Sequence, residues 1–266
     1  MFICGYNPRV SIADNVAHIR ERIAAAALRA GRQAEEVTLV AVSKTFPAER
    51  IREAYAAGVR HFGENRVQEW ETKVSALADL HGATWHLVGH LQSNKARRAV
   101  ELFSAVDSVD SLALAQRLDR LTEERQNINT EVALRPPAAG SGQAEAQRSQ
   151  RRLPILIEVR LAPEETKHGV EPADLPALVD VVLALPHLDL RGLMCIPPWC
   201  ENPEDARPYF RRLRELRNAV RGAQQAAPLP VLSMGMSHDY EVAIKEGATQ
   251  VRLGTALFGT RAETEN

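Results

Sequence analysis

Several features that define common protein classes are scarce in this chain of 266 residues. Cysteine occurs three times and never as a CxxC pair, which fits a reducing compartment and offers no zinc-ligand pattern. Neither sign of charge is in excess, since 33 Lys and Arg meet 34 Asp and Glu, so we expect no nucleic-acid or anionic membrane surface. No apolar run approaches the roughly 18 residues of a membrane-spanning helix. The first residues lack a basic start and an extended apolar stretch, so the sequence predicts a soluble cytoplasmic protein.

What the chain does contain is an opening helix and then a regular alternation of short β-rich runs with helical patterns. The helix is predicted over residues 11–30, because apolar side chains recur there at helical spacing: Ile12, Val16, Ile19 and Ile23. Strands are predicted at Val37–Val42, Val59–Phe62, Thr84–Val88, Leu102–Val106, Ile155–Leu161, Leu188–Ile196, Val231–Met234 and Thr249–Leu253. Helical patterns lie between them at Ala48–Ala57, Asn65–Ala78, Leu112–Arg125, Leu175–Ala184, Pro203–Arg221 and Tyr240–Glu246.

Eight strands that alternate with helices are typical of a closed (β/α)8 barrel, the TIM barrel. The alternative is an open, doubly wound α/β sheet, but no GxGxxG follows the first predicted strand. We therefore expect an α/β chain whose residues 1–266 form one TIM-barrel domain with an extra N-terminal helix.

One segment, residues 135–152, breaks this alternation. It is rich in Pro, Gly, Ala, Gln and Arg and has no apolar period, which predicts a flexible insertion before the fifth strand. In a barrel this insertion would lie on the face opposite the active-site mouth. We interpret it as a tolerated surface loop, with a partner-docking element as the alternative.

Chemistry in such barrels lies where the strands end, and the first predicted strand ends next to Lys44. An amine at the rim of the mouth is partly desolvated, and loss of water favours the neutral form that forms a Schiff base. The alternative is a solvated loop lysine. After the second predicted strand, Asn65 offers a donor and an acceptor, either to a ligand or as a helix cap.

Two histidines four residues apart, His86 and His90, accompany the end of the third predicted strand. A strand holds such residues well apart, and we expect no carboxylate or third histidine to join them. The sequence therefore predicts structural or hydrogen-bonding roles for both and no metal site.

The last two predicted strands run into small and hydroxyl residues. Ser233 and Ser237 follow or end the seventh strand, and Gly254 and Thr255 follow the eighth. Backbone N–H groups at helix starts in these two loops commonly bind phosphate, although the hydroxyls could be simple helix caps. Arg252 lies within the apolar eighth strand, so it requires a partner, either a buried carboxylate or a heteroatom of a ligand.

A Schiff-base lysine on the first strand and a phosphate site after the last two describe one ligand. Pyridoxal 5′-phosphate (PLP) carries an aldehyde at one side of its ring, a phosphate at another and a ring nitrogen.

At the level of whole motifs, the sequence resembles the pyridoxal phosphate homeostasis protein family, which shares the barrel of the alanine racemase N-terminal domain. The matching segments run in family order: Ala41–Thr45, Phe62–Glu69, Trp85–Lys95, Arg191–Pro197, Ser233–Ser237 and Val251–Gly259. The resemblance implies that Lys44 forms the internal aldimine, that Arg252 faces the pyridine nitrogen, and that Asn65 lines the ring. It also implies that the phosphate is bound by Ser233, Ser237, Gly254 and Thr255.

The chain departs from the family pattern after the fifth predicted strand. Arg160 stands where the family usually has Asn, and Ala162 where it has Ser or Thr, while Lys167 and Gly169 of the family's KxG motif remain. We expect these changes to affect ligand contacts at that strand and not PLP binding as such. Lys167 is either a second amine that assists PLP transfer or a solvated loop lysine.

The resemblance implies a non-catalytic PLP-binding protein that buffers the cofactor or delivers it to PLP-dependent apo-enzymes, and we expect a monomer because the domain that builds the racemase dimer is missing. Racemases with this barrel carry a further β-rich domain with a catalytic tyrosine, and we expect this protein to lack it, because little sequence follows the eighth predicted strand. The alternatives are a PLP-dependent amino-acid racemase or lyase, and an interaction protein for which PLP is a signal.

Overall fold

Eight parallel strands close into a single barrel in the computed structural model, which describes residues 11–133, 152–162, 168–223 and 228–259. The strands are β1 (Thr38–Val42), β2 (His61–Glu64), β3 (Thr84–Leu87), β4 (Ala105–Val109), β5 (Leu153–Glu158), β6 (Leu188–Met194), β7 (Val231–Ser233) and β8 (Gln250–Leu253). They pair in chain order, and β8 pairs with β1. Closure leaves no sheet edge, so the predicted TIM barrel is confirmed and the open doubly wound sheet is excluded.

Helices cover the outside of the barrel between the strands. They are α1 (Ile12–Arg29), α2 (Ala48–Ala56), α3 (Val67–Lys73), α4 (Ala96–Leu102), α5 (Leu112–Ala133), α6 (Leu175–Ala184), α7 (Arg207–Ala223), α8 (Tyr240–Lys245) and α9 (Thr255–Phe258). Short 3-10 helices lie at Ala34–Glu36, Val74–Leu77, Ser93–Lys95 and Pro203–Ala206. None of the helices in the described part of the chain is long and apolar enough to cross a membrane.

The predicted opening helix is confirmed. The Ser11 hydroxyl accepts a hydrogen bond from the Asp14 N–H at 3.1 Å, and the Asp14 carboxylate accepts from the Ser11 N–H, which forms a capping box. The four predicted apolar side chains are buried and pack against α2, α8 and α9, so α1 covers the barrel wall beside the last strand.

Some predicted boundaries were wrong. The range Leu102–Val106 was assigned to the fourth strand, but α4 occupies its start and β4 begins at Ala105. Short apolar runs do not distinguish a strand from the last turn of a helix, and α4 itself was not predicted. The predicted insertion, apart from Arg152, lies outside the described residues.

Candidate functional site

A cavity of about 350 Å³ opens at the carboxyl end of the barrel, where the predicted functional residues were expected to meet. Its volume lies within the roughly 300–1,000 Å³ that small-molecule sites span. Residues in or just after β1, β2, β3, β6, β7 and β8 line it, among them six of the seven predicted site residues: Lys44, Asn65, Ser237, Arg252, Gly254 and Thr255. The seventh, Ser233, is fully buried beneath the cavity and bonds to one of its lining residues.

Lys44 is half-buried in the turn that follows β1. Its two neighbours in sequence, Ser43 and Thr45, are each hydrogen-bonded to a glutamate. The Ser43 hydroxyl donates to the Glu64 carboxylate at 2.8 Å. Thr45 has a φ of +68°, a conformation that a β-branched residue rarely adopts, and its N–H donates to the Glu69 carboxylate. Strained residues of this kind persist only where surrounding contacts enforce them, so the turn holds Lys44 in one place at the cavity wall.

A buried ionic cluster supports this turn. The Lys73 Nζ atom donates to the Ser43 carbonyl at 3.1 Å, to Glu64 at 3.2 Å and to Glu69 at 2.6 Å. Burial raises the pKa of Glu64, and the Lys73 charge acts in the opposite direction. Burial also acts to raise the pKa of Glu69, but the hydrogen bonds from Lys73 and Thr45 outweigh it and lower that pKa. The cluster thus ties β2 and α3 to the loop that carries Lys44.

Asn65 enters the cavity from the end of β2 because a glycine stands beside it. A Cβ atom on Gly89 would lie 2.3 Å from the Asn65 carbonyl oxygen and 2.4 Å from its Oδ1 atom, closer than any real contact. Only glycine therefore allows β3 to end so close to the Asn65 side chain.

Two backbone amides converge on one oxygen where the loops after β7 and β8 meet. The Ser237 hydroxyl accepts from the Gly254 N–H at 3.3 Å and from the Ala256 N–H at 3.2 Å. Ser237 therefore caps α9, which is not the helix that follows it in sequence. Converging N–H donors of this kind suit an oxygen of an anionic group. Asp239 shapes the same loop by accepting from the Met236 N–H at 2.6 Å, and burial raises its pKa.

Arg252 is only 4% exposed, and its guanidinium lines the floor of the cavity. From the sequence we predicted that a buried carboxylate or a ligand atom would be the partner of this guanidinium, but the groups that accept its hydrogen bonds are uncharged. The Nη1 atom donates to the Ser233 hydroxyl at 2.7 Å and Nη2 to the Cys195 carbonyl at 2.8 Å. Burial lowers the pKa of Arg252, whereas the nearby charges of Asp107 and Glu158 act to raise it. An arginine retains its proton at neutral pH even so.

A chain of hydrogen bonds continues from Ser233 through the barrel interior. Gln250 Nε2 donates to the Ser233 hydroxyl at 3.0 Å and to the Asp107 carboxylate at 2.7 Å. Asp107 contacts His86 Nδ1 at 3.1 Å, and His86 Nε2 lies 3.0 Å from His61 Nδ1. The predicted hydrogen-bonding role of His86 is confirmed. Burial lowers the pKa of His61 to about 4, and the neighbouring His86 adds to the effect.

The alternation of strand residues explains why this polar chain exists. Gln250 and Arg252 are two positions apart in β8, so both face the barrel interior, while Val251 between them faces the helices. The contact of Ser233 with phosphate stays a prediction; in the structure its oxygen accepts from both β8 side chains.

A second cavity, of about 270 Å³, adjoins the first and shares Asn65 and Ile196 with it. Arg160 and Ala162, the two departures from the family pattern, line this second cavity and not the first. Arg160 pairs with Glu171. Lys167, the candidate second amine, lies outside the described residues.

Sequence reasoning missed two features of the second cavity. Burial raises the pKa of Glu158, which lines it, to about 7. The expectation that no carboxylate or third histidine accompanies His90 was wrong, because Asp110 and His168 both reach it. Glu158 is a single acidic residue at the end of the apolar strand β5, and this position could have indicated it from the sequence. The contacts of His90 come from distant segments, which local sequence does not reveal.

The fold and the site together define a class: a (β/α)8 barrel of the alanine racemase N-terminal type, with a lysine after β1 and two backbone amides that converge where the loops after β7 and β8 meet. The sequence profile of the family described as "Alanine racemase, N-terminal domain" matches residues 14–262.

Relatives narrow this class to one family. The pyridoxal phosphate homeostasis protein of Aquifex aeolicus is 44% identical over 252 residues, which cover 95% of this chain and 99% of that one. That of Pseudomonas aeruginosa is 45% identical over 251 residues, 94% and 96% of the two chains. The solved structure of PipY from Synechococcus elongatus with PLP bound is 40% identical, with a TM-score of 0.75, and covers 93% of this chain and 100% of that one. The chain belongs to the pyridoxal phosphate homeostasis protein family.

Proposed function

We propose that this protein binds PLP in the 350 Å³ cavity through Lys44 and serves intracellular PLP homeostasis by holding, buffering or delivering the cofactor. In this proposal residues 1–266 act as one cytoplasmic, monomeric PLP-binding domain without robust catalysis. The PLP named in the PipY structure and the names of the relatives support it. PLP-dependent apo-enzymes are the proposed recipients.

The observation that carries the proposal is that three complementary groups line one cavity. Lys44 supplies a primary amine, Arg252 supplies a cation on the floor, and Ser237, Gly254 and Thr255 supply hydroxyl and backbone groups where the loops after β7 and β8 meet. PLP offers an aldehyde, a ring nitrogen and a phosphate, so each group has a partner. Asn65 offers a donor and an acceptor at the edge of the ring.

Arg252 favours a holding role over general catalysis. PLP, when bound, supplies a carbonyl group for amines and a ring that can accept electrons. The permanent charge of the Arg252 guanidinium disfavours a second positive charge on the ring nitrogen, and its bonds to Ser233 and Cys195 keep it in place. The chain therefore weakens the ring as an electron acceptor.

One observation favours the alternative, a PLP-dependent racemase or lyase. The Glu158 carboxyl has a pKa of about 7 and lines the cavity that shares Asn65 and Ile196 with the PLP cavity. A carboxyl with such a pKa can both take up and release a proton near neutral pH.

The visible absorbance of the purified protein with added PLP, before and after borohydride, tests PLP binding. We expect a yellow band that borohydride removes while fixing the cofactor to the protein, and loss of both effects in Lys44→Ala. Lys245→Ala, an exposed lysine on α8, is the matched control and should behave as the unmodified protein. A protein that stays colourless with PLP would refute the proposal.

Amino-acid turnover and cofactor transfer separate the two candidate functions. A carrier releases PLP to an apo-enzyme and racemises no amino acid, whereas turnover that Lys44→Ala abolishes would establish the enzyme. Transfer that persists when a dialysis membrane separates the two proteins would indicate free diffusion.

A further inference from the structure

Three potential metal ligands from distant parts of the chain meet beside the second cavity. His90 follows β3, Asp110 follows β4, and His168 lies in the connection after β5. One ligand atom from each can be chosen so that all three lie within 4.8 Å of one another. His90 Nδ1 lies 3.0 Å from the Asp110 Oδ2 atom, and the rings of His90 and His168 are stacked with their centres 3.5 Å apart.

The donor set selects a class of cation. Two imidazole nitrogens and one carboxylate oxygen suit zinc, cobalt or nickel, whereas magnesium and calcium favour ligands that are all oxygen. Three protein ligands also leave at least one coordination position open, as in zinc sites that bind water or a further ligand.

The surroundings provide space and access for such a cation. His90 and His168 both line the 270 Å³ cavity, so a fourth position would face its interior. Both histidines are exposed and Asp110 is half-buried, which leaves a path from solvent to the ligand atoms. His90 and Asp110 follow the neighbouring strands β3 and β4, and Val170, two residues after His168, pairs with Val159 just beyond β5, which keeps the three backbones near one another.

The hydrogen bond between His90 and Asp110 and the stacked rings are a metal-free arrangement of the same groups. A cation would take the place of the hydrogen between His90 Nδ1 and Asp110, with the ring hydrogen of His90 carried on Nε2 instead, and the two rings would turn from parallel to converging, which exposed side chains can do by rotating about χ1 and χ2. We propose that His90, Asp110 and His168 bind one divalent transition-metal ion of the zinc, cobalt and nickel class, with an open position towards the second cavity. This site is independent of the proposed binding of PLP.

Zinc titration of the untagged full-length chain, after treatment with a chelator, tests the proposal by calorimetry. We expect one ion per chain and affinity that falls more than about tenfold in His168→Ala and in Asp110→Asn, since even outer-shell changes cost 10–100-fold. His81→Ala, an exposed histidine at the other end of the barrel, is the matched control and should bind zinc unchanged. Thermal unfolding of each variant without zinc shows that it is folded.

Cobalt provides a second probe, because its visible absorption reports the ligands that surround it. Weaker cobalt absorption in His90→Ala, with no change in Cys200→Ser, would support the site. Three results would overturn the proposal: no zinc bound at millimolar concentration, equal affinity in His168→Ala and the unmodified protein, or loss of binding only in Cys200→Ser. None of these results bears on PLP binding, which the absorbance of the PLP-loaded protein tests separately.

Discussion

The Arg252 guanidinium donates a 2.7 Å hydrogen bond to the hydroxyl of Ser233, and this bond joins β8 to β7 directly beneath the candidate PLP cavity. The hydroxyl accepts a second bond from Gln250, so one oxygen holds two buried donors. The position of the buried cation therefore depends on a residue that does not touch the cavity.

Ser233→Ala should destabilise the protein and weaken PLP binding together. The change leaves donors of Arg252 and Gln250 unpaired in the core, which costs about 1–3 kcal/mol of unfolding free energy. Without its acceptor the Arg252 guanidinium also loses its fixed position at the cavity floor. Urea unfolding measures the first effect and PLP titration the second.

Thr122→Val is the control for Ser233→Ala. Thr122 is a buried hydroxyl on α5 that donates to the Leu118 carbonyl at 2.8 Å, away from the cavity. We expect it to alter stability and leave PLP affinity unchanged. Equal PLP affinity in Ser233→Ala and the unmodified protein would mean that Arg252 does not need Ser233.

Lys73→Met should destabilise the protein strongly, because it leaves the Glu64 carboxylate, which is fully buried, without its cation. Removal of one partner from a buried ion pair costs about 3–5 kcal/mol. The double variant Glu64→Gln with Lys73→Met should regain most of this loss, since no uncompensated charge remains. Urea unfolding of the two single variants and the double variant gives the coupling energy. Additive single effects would show that the two side chains do not interact.

Acidification should destabilise the protein through His61. The pKa of His61 is about 4 in the folded protein and near 6.5 when unperturbed, so the unfolded chain binds more protons between these values. Stability contributed by neutral His61 is therefore lost as pH falls from 6.5 towards 4. From pH 7 to pH 5 this contribution to the free energy of unfolding falls by about 2 kcal/mol. Glutamine does not titrate, so the loss of stability on acidification should be about 2 kcal/mol smaller in His61→Gln than in the unmodified protein.

Urea unfolding at pH 7 and pH 5 measures this difference, with His81→Gln as the control for removal of any histidine. His61 faces His86, and through it Asp107, so glutamine retains a polar partner for His86. If His61→Gln and the unmodified protein lose equal stability on acidification, the low pKa of His61 is refuted.

The alternation of strands and helices predicted the barrel correctly because each strand buries an apolar run and each helix an apolar stripe. Predicted element ends were less accurate: β4 begins at Ala105, three residues after the predicted start at Leu102. Local sequence contains no signal for that shift, since both the end of α4 and the start of β4 are apolar.

By itself the sequence determined the barrel, its opening helix and the positions of Lys44, Asn65 and Arg252 at the strand ends. These follow from periodicity and from the rule that barrel strands present their carboxyl ends on one face. Only the tertiary structure decided that Ser233 bonds to Arg252, that Lys73 lies under the Lys44 turn, and that His90 meets Asp110 and His168. Such contacts join residues from different strands, helices and loops, and only the packing of these elements side by side in the folded barrel brings them within bonding distance.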